Sequence, residues 1–520
     1  MMALQHTDKN KHATLTELLV GVELLSGQES LQVTSLTADS RQVVPGSLFL
    51  ACPGLTVDGR QFMKAAAGQG AVAIAAEAEG LDAFEAPAGV AVIPVQGLST
   101  RLSTIAGRFY GNPSEHMKVT GITGTNGKTT CSQLLAQLLA LLGEPTGVLG
   151  TLGYGLFDQK TVNLLGERAA TFVDVGMTTP DAIKVQEVLA NLLDESATHF
   201  CMEVSSHSLD QGRVADVAFH TAIFTNLSRD HLDYHGDMDS YLRAKAQLFA
   251  TEGLQLAIIN ADDPCSEHLA DQFDDSICCL RFGIDNRKAD IVASEVELTD
   301  SGVEARLTTP WGTGVLSSRL LGEFNVSNLL AVVAAACGQG HALQEVLALI
   351  PKLYPVAGRM EVVSTHYRPV VVVDYAHTPD ALEKALTSLR PLCRGQLWCV
   401  FGCGGNRDAG KRPQMGALAA QLADRVVVTS DNPRGEGPEQ IITEIRAGMP
   451  SSEFIHCEVD RRAAIEYAIA NAAAEDCVLI AGKGHETYQE VNGVRHEFDD
   501  RNEARAALEQ CGQRGGQAND

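Results

Sequence analysis

A chain of 520 residues is too long for a single hydrophobic core, and at roughly 100–200 residues per domain it predicts about three. Hydrophobic residues at 45% and charged residues at 20% give the balance of an ordinary globular protein rather than a disordered or fibrous one. A formal net charge of −25 excludes nucleic acid as a partner, since such a surface repels phosphate backbones.

Anionic small molecules can still bind, but only where backbone amides, Lys, Arg or metal ions reverse the sign locally. The longest apolar run, Leu329 to Cys337, is about half of the roughly 18 residues a membrane span needs. The polar start (His6, Asp8, Lys9, Asn10, Lys11) has no apolar stretch behind it, so no signal peptide is expected and the location expected is cytoplasmic. Thirteen cysteines without a repeated C-x-x-C pair predict reduced, buried thiols rather than disulfides or a zinc site.

The fold class expected is α/β. Short β-branched runs end in polar or glycine-rich turns and then pass into helical patterns, as in parallel sheets covered on both faces. In chain order, Val119–Thr123 leads into GTNGKTT, Phe200–Val204 into SSHS, and Ala222–Thr225 into NLSRDHLDYHG. Val370–Asp374 leads into YAHTPD, Leu397–Phe401 into GCGGNRD, Val426–Ser430 into DNPRG, and Val478–Ala481 into GKGHE. Ligands of such sheets gather beyond the carboxyl ends of the strands, where all these motifs fall. Breaks at Gly111-Asn112-Pro113-Ser114 and Tyr354-Pro355-Val356-Ala357-Gly358 divide the chain into residues 1–112, 113–355 and 356–520. The tail from Gly512 to Asp520, rich in Gly and Gln, is expected to be disordered.

Gly124-Thr125-Asn126-Gly127-Lys128-Thr129-Thr130 follows a strand and opens a helix with apolar positions at Leu134, Leu135, Leu138 and Leu142, closed by Gly143. Small residues let backbone N–H groups approach a phosphate, the helix N-terminus adds partial positive charge, Lys128 reaches the terminal phosphates and the Thr129 hydroxyl can ligate Mg²⁺. The strict pattern G-x-x-x-x-G-K-S/T is not met, because position 122 is Ile. Glu203, at a strand end beside this loop, is a natural Mg²⁺ ligand, and His231 is a second ligand candidate by its polar company. Lys245, on a helix expected over Tyr241–Phe249, is not singled out by its chemistry.

GTNGKTT, MEVSSH, TNLSRDHLDYHG, Asn325-x-x-Asn328 in GEFNVSNLLA, Gly358-Arg359-Met360, DYAHTPDALEKAL and AGKGHE stand in the order and spacing of the Mur ligases. With GCGGNRDAGKRP and DNPRG, the set resembles the branch that adds diaminopimelate to UDP-N-acetylmuramoyl-L-alanyl-D-glutamate, over about Ser35 to Arg505. The resemblance implies three units: a small α/β N-terminal domain for the UDP-sugar, a central parallel-sheet domain of the P-loop ATPase kind and a C-terminal Rossmann-like domain for the amino acid. It implies that ATP phosphorylates the free carboxylate of the nucleotide-linked peptide and that an amine then displaces phosphate from the acyl phosphate. Glu203 and His231 then carry over as metal-site residues. Lys245 matches a lysine that carbon dioxide converts into a carbamate able to ligate a second Mg²⁺. Asn325, Arg359 and Asp374 match positions around the adenine, phosphates and ribose.

For the UDP-muramyl dipeptide the resemblance carries over Ser40, Thr56, Thr178, Thr179, Ser205, Gln211 and Arg213. Met177 departs from the Asn common before that Thr pair. For diaminopimelate it carries over Arg407, Asp431, Asn432, Pro433, Arg434, Gly482 and Glu486, with Asn406 departing from the Asp common before Arg407. A guanidinium grips a carboxylate through two parallel hydrogen bonds, which favours diaminopimelate over lysine, whose far end is only a cation. A monomer acting on small molecules is the expectation. Folylpolyglutamate synthase would share the phosphate loop without DNPRG or GCGGNRDAGKRP, and a ligase acting on the UDP-MurNAc-tripeptide would lack the diaminopimelate signature. A silent nucleotide-binding scaffold would have lost one of Lys128, Glu203, His231 or Lys245, and all four are present.

Overall fold

Strand-forming segments sort into three main sheets in the computed structural model, which describes residues 11–54, 57–165, 171–271, 273–274, 276–299, 302–364 and 369–517. Thr56 lies outside the described residues. The first sheet is wholly parallel, in the order β1 (Ser35–Thr37), β2 (Ser47–Ala51), β3 (Ala73–Glu77) and β4 (Ala91–Val95), and is followed by helix α1 (Leu98–Tyr110). β2 and β3 are buried at every position, as continuous apolar runs should be when a sheet is covered on both faces.

The central sheet contains β5 (Lys118–Thr123), β6 (Thr146–Gly150), β7 (Gly153–Phe157), β8 (His199–Glu203), β9 (Phe219–Phe224), β10 (Leu256–Asn260), β11 (Cys278–Ile284), β12 (Ile291–Thr299), β13 (Gly302–Thr309) and β14 (Gly312–Ser318). Its spatial order is β14-β13-β12-β11-β10-β9-β5-β8-β6-β7. Strands β6, β8, β5, β9, β10, β11 and β12 run parallel, with antiparallel additions at both edges. The residues of β13 alternate buried and exposed, the period-two pattern of a strand with one wet face. Helix α2 (Lys128–Leu141) differs from the amphipathic reading, because every residue from Thr129 to Leu141 is buried. It is sandwiched between the sheet and helix α4 (Glu323–Gly338), so it has no solvent face. Gly143, at φ +94°, ends it in a left-handed turn. Helix α3 (Met238–Ala246) carries Lys245 and tightens into a 3₁₀ turn over Gln247–Ala250.

The third sheet has the order β15-β16-β20-β17-β18-β19, formed by β15 (Glu361–Val362), β16 (Val370–Asp374), β17 (Leu397–Phe401), β18 (Arg425–Val428), β19 (Ile455–Cys457) and β20 (Cys477–Ala481). Apart from β15 it is parallel. Helices α5 (Pro379–Leu389), α6 (Lys411–Leu422) and α7 (Asp500–Gln517) belong to this unit, with a hairpin of β21 (Tyr488–Val491) and β22 (Val494–Glu497). α7 takes in Gly512–Gln517 of the expected tail, and residues 518–520 lie outside the described residues. Once a helix is anchored by buried Ala504, Ala507 and Leu508, adding further turns costs little. Arg461 and Asp500, both fully buried, pair at 2.7 Å and fasten α7 to the sheet. Removing one partner of such a pair costs roughly 3–5 kcal/mol. All thirteen cysteines are free thiols; Cys131, Cys201, Cys337, Cys399, Cys403 and Cys477 are buried, whereas Cys278 and Cys457 are exposed, against the expectation of uniform burial. Among the described residues no helix is long and apolar enough to cross a membrane.

Candidate active site

The loop between β5 and α2 leaves no space for side chains at its glycines. A Cβ on Gly124 (φ +145°) would meet Thr225 Oγ1 at 1.9 Å, and one on Gly127 (φ +87°) would meet Asn328 Oδ1 at 2.6 Å. Thr125 Oγ1 donates to Ser228 O (3.1 Å) and accepts from Ser228 N (3.0 Å), locking the loop to the segment after β9. The Lys128 ammonium folds back onto Gly124 O (2.7 Å) and Thr125 O (2.8 Å). Lys245, fully buried on α3, donates to the same Gly124 carbonyl at 2.9 Å. Burial pushes both lysines below their ordinary range, Lys245 well below, and the nearby charge of Lys128 adds to its shift. Thr130 is buried in the first turn of α2.

Register places Glu203 beside Ile122, so the carboxylate faces the loop. Its Oε2 accepts from Thr129 Oγ1 (2.9 Å) and Thr151 Oγ1 (3.1 Å), and its Oε1 from Thr151 N (2.7 Å). Arg359 arrives from the linker before β15 and donates to Thr129 Oγ1 at 3.0 Å, its guanidinium stacked 4.5 Å from the Tyr375 ring. His231 sits at φ +55° with Nε2 3.5 Å from Asp230 Oδ2. Desolvation lowers its pKa against the opposing pull of the Asp230 carboxylate. Although burial pushes Asp230 upward, His231, Lys411 and His377 together hold it at about 2. Among the described residues no three His, Cys, Asp or Glu side chains converge as a preformed metal cluster. The hard oxygens of Thr129 and Glu203 nevertheless fit Mg²⁺, which takes few protein ligands and keeps waters and phosphate oxygens for the rest.

The remaining carried-over residues divide into those that line the cleft and those that support it. Thr178 lines it and exchanges a hydrogen bond with Thr151 (3.1 Å). Thr179 is buried, donating to Glu203 O (2.8 Å) and accepting from Ser205 N (3.2 Å). Ser205 caps the following short helix through Ser208 N (3.1 Å). Gln211 accepts from Arg213 (3.0 Å), whose Nη1 reaches Thr179 O at 2.8 Å and Met177 Sδ at 3.2 Å. Ser40 opens a 3₁₀ turn of the first unit, and neither cavity described here includes it. Asn325 is committed to Leu321 O (2.8 Å) and Asn328 (2.9 Å). Asp374, raised by burial, accepts from Met360 N at 2.7 Å and so buttresses the linker, and neither it nor Asn325 lines the two cavities of the cleft.

The pocket beyond β18 and β20 is a side-chain network. Asn432 Oδ1 accepts from Lys483 Nζ (3.2 Å) and Glu490 N (2.9 Å), which turns its amide donor onto Glu486 Oε2 (2.7 Å). The fully buried Lys483 also bonds Glu486 Oε2 at 3.0 Å. Asp431, despite its burial, is held below the usual carboxylate range by Lys483 and Arg461. Arg434 sits at φ +51°, donating to Gly405 O at 3.0 Å, with Pro433 packed behind it on Gly405. Hairpin strand β21 stitches onto this turn through Arg434 N to Glu490 O (3.0 Å) and Gln489 Nε2 to Asp431 O (2.7 Å). Asn406, also left-handed at φ +53°, accepts from Gly435 N at 2.9 Å, and Gly482 bonds back to Asp374 O. Arg407 is exposed and lines the cleft.

Two connected spaces result. The smaller, about 280 Å³, is walled by Thr125–Thr129, Glu203, Asp230, His231, Lys245, Lys411, Asp431 and Asn432. The larger, about 1240 Å³, adds Arg319, Arg495, Arg501 and Arg505 and shares Thr151, Thr178, Arg359, Arg407, Arg434 and Glu486 with it. These arginines reverse the sign of a strongly acidic chain along this wall. Lys411, Lys483, His377 and Tyr375 were not singled out from the sequence. Their signal was position alone, each within a motif at a strand's carboxyl end.

A phosphate loop that faces a buried carboxylate in the central unit, with an arginine delivered by the third, defines a nucleotide-binding protein. The chain belongs to the Mur ligase family. Residues 32–110 match the family profile "Mur ligase family, catalytic domain", 122–336 "Mur ligase middle domain" and 358–484 "Mur ligase, glutamate ligase domain". It is 51% identical over 488 residues (94% of this chain, 97% of the relative) to the UDP-N-acetylmuramoyl-L-alanyl-D-glutamate–2,6-diaminopimelate ligase of Ectopseudomonas mendocina. The like-named protein of Pseudomonas aeruginosa is 49% identical over 482 residues, covering 92% of this chain and 96% of the relative. A solved structure of a ligase with that same name superposes with a TM-score of 0.67 at 36% identity, over 96% of this chain and 99% of that one.

Proposed function

We propose that this protein is the ATP-dependent ligase that joins meso-diaminopimelate to UDP-N-acetylmuramoyl-L-alanyl-D-glutamate, a step of peptidoglycan precursor synthesis. The relatives that carry this name match nearly its whole length, and the observation that carries the reading is the pairing of a phosphate loop with the Arg434 pocket across one cleft. In this reading Gly124–Thr130 cradle the ATP phosphates, Lys128 turns from its carbonyls to the terminal phosphates, and Arg359 neutralises charge from the opposite side. Thr129 and Glu203 would hold Mg²⁺, with His231 as a further ligand; the ion supplies charge neutralisation for the phosphates. Asn325 and Asp374 shape the nucleoside side, Asn325 by bracing the start of α4 and Asp374 by holding the linker.

Lys245 is read as the carbamylated lysine. Its desolvated amine favours the neutral, nucleophilic form, and addition of carbon dioxide would leave an anion beside Lys128 in place of a second buried cation. Thr178, Thr179, Ser205, Gln211 and Arg213, with Ser40 and Thr56 from the first unit, are assigned to the UDP-muramyl dipeptide. Arg407, Asp431, Asn432, Pro433, Arg434, Gly482 and Glu486 are assigned to diaminopimelate, with guanidinium groups for its carboxylate and Glu486 for its ammonium. Closure around these groups keeps water from the acyl phosphate. Free thiols and an ATP requirement fit the cytoplasm. The test is phosphate release from ATP, Mg²⁺ and the UDP-dipeptide, with meso-diaminopimelate or L-lysine added separately. Release that needs every component and favours diaminopimelate is expected. Preference for lysine would sink the Arg434 assignment, and silence with both would sink the ligase reading.

A further inference from the structure

Lys411 opens helix α6, and its buried charge faces the Asp230 carboxylate without a hydrogen bond. The residue is only 6% exposed. It makes no hydrogen bond or ion pair with any described residue, although its side chain helps wall the smaller cavity. As the first residue of a twelve-residue helix it also lies at the positive end of the helix dipole, where a cation is disfavoured. Its charge favours the ionised Asp230 carboxylate nearby, but no hydrogen bond satisfies the ammonium, so its donors remain for an anion in the cavity. Lys483 is equally buried, yet it has Asn432 and Glu486 as partners.

The surroundings of Lys411 identify what its ammonium can meet besides Asp230. Its loop is docked on the central unit by the Arg229–Asp408 ion pair at 3.4 Å, and the neighbouring Ser228 is the residue bonded to Thr125 of the phosphate loop. A second bridge, Asn126 Nδ2 to Asp380 Oδ2 at 2.8 Å, holds the two units together at that loop. Lys411 walls the space that contains Thr125–Thr129, whereas the larger, arginine-rich space has neither Lys411 nor those loop residues in its wall.

We propose that Lys411 is a catalytic residue supplied by the third unit, whose ammonium binds the non-bridging oxygens of the phosphoryl group as it passes from ATP to the substrate carboxylate. The proposal rests on the ligase reading above. In that step a carboxylate oxygen forms a bond to the γ-phosphorus, the bond from that phosphorus to the β,γ-bridging oxygen breaks, and its electron pair leaves with ADP. No proton moves, and the negative charge crossing the cleft meets Lys128 on one side and Lys411 on the other. Closure of the third unit thereby becomes a condition for phosphoryl transfer as well as for amino-acid binding.

The experiment is positional isotope exchange in ATP labelled with ¹⁸O at the β,γ-bridge, with Mg²⁺ and UDP-MurNAc-L-Ala-D-Glu but no amino acid, so that only reversible phosphoryl transfer is read. For Lys411→Met, exchange and kcat should both fall by about 100-fold or more, the scale of losing one charge-stabilising donor. The KM for ATP should stay within about twofold of the wild type, as for an interaction made mainly in the transition state. Tm should change by no more than a few degrees, because no hydrogen bond is broken, and Lys411→Arg should recover part of the exchange. Wild-type exchange in Lys411→Met with a raised KM for diaminopimelate would overturn the proposal and assign Lys411 to that substrate's carboxylate. A lowered Tm with no recovery in Lys411→Arg would overturn it in favour of a structural role. Absence of exchange in the wild type would overturn the ligase reading and the proposal together.

Discussion

The phosphate loop and the pocket at Arg434 face one another across a single cleft, yet they are built by opposite means. The loop is fixed by backbone geometry: its glycines exclude Cβ atoms, and its two lysines rest on main-chain carbonyls. The Arg434 pocket is fixed by side chains, with Lys483, Asn432 and Glu486 orienting one another and hairpin β21 holding the turn. A backbone cradle recognises any phosphate and places it for chemistry, whereas a side-chain network can set the direction of donors and acceptors and so choose between similar amino acids. The two faces should therefore fail differently, one in turnover with every amino acid and the other in the choice of amino acid.

The hardest strike at this contrast is on the loop side. Lys245→Ala removes the group read as a carbamate, and kcat should drop about 10³-fold with diaminopimelate and with any slow alternative amino acid alike. Acetate or formate, supplying a carboxylate to the space left, should restore part of the rate, and wild-type activity should fall in buffer stripped of carbon dioxide. Full wild-type rate without carbon dioxide, and no response of the variant to added carboxylates, would leave Lys245 a buried structural lysine. Arg434→Lys strikes the other face. It exchanges a planar fork for a point charge, so kcat/KM for diaminopimelate should fall about 10- to 100-fold while the KM values for ATP and the UDP-dipeptide hold. An equal loss with respect to all three substrates would erase the distinction between the faces.

The sequence exposed the loop face far better than the other. Strand, glycine turn and helix are contiguous from Val119 to Leu141, so local spacing alone brought Gly124, Lys128 and Thr129 together. Nothing local brings Arg359 to Thr129 or Lys411 into the same cavity as Lys128, because those contacts depend on how the third sheet packs against the second. Lys245 was read only through resemblance, since a lysine on a helix carries no mark of burial until the fold supplies Gly124 above it. The edge strands β12 to β14 are less legible than the parallel runs, because Val303 to Thr309 alternates buried and exposed positions instead of forming a continuous apolar stretch. α2 looked amphipathic because Gln133 and Gln137 interrupt its apolar face. Both are buried, and Gln137 trades hydrogen bonds with the Tyr354 main chain at 2.9 and 3.3 Å, which ties the helix to the linker of Arg359.

The smallest effect concerns Asn406, the residue that departs from the family habit of Asp just before Arg407. The site asks two things of it: a left-handed backbone, which both Asn and Asp tolerate, and an oxygen to accept from Gly435 N. Asp meets both demands, so Asn406→Asp should keep the turn and leave kcat with diaminopimelate within about twofold, as expected for a surface change that breaks no buried partner. The added charge stands beside Glu436, whose carboxylate already accepts from Asn406 N and is held by Arg412 (2.8 Å). Repulsion there should lower stability by no more than about 0.5 kcal/mol, a change in Tm that salt should reduce. A large rise in KM for diaminopimelate alone would mean that the Asn406 amide itself touches the amino acid. The pocket's choice would then begin one residue before Arg407, and the side-chain network would extend past the arginines that line its mouth.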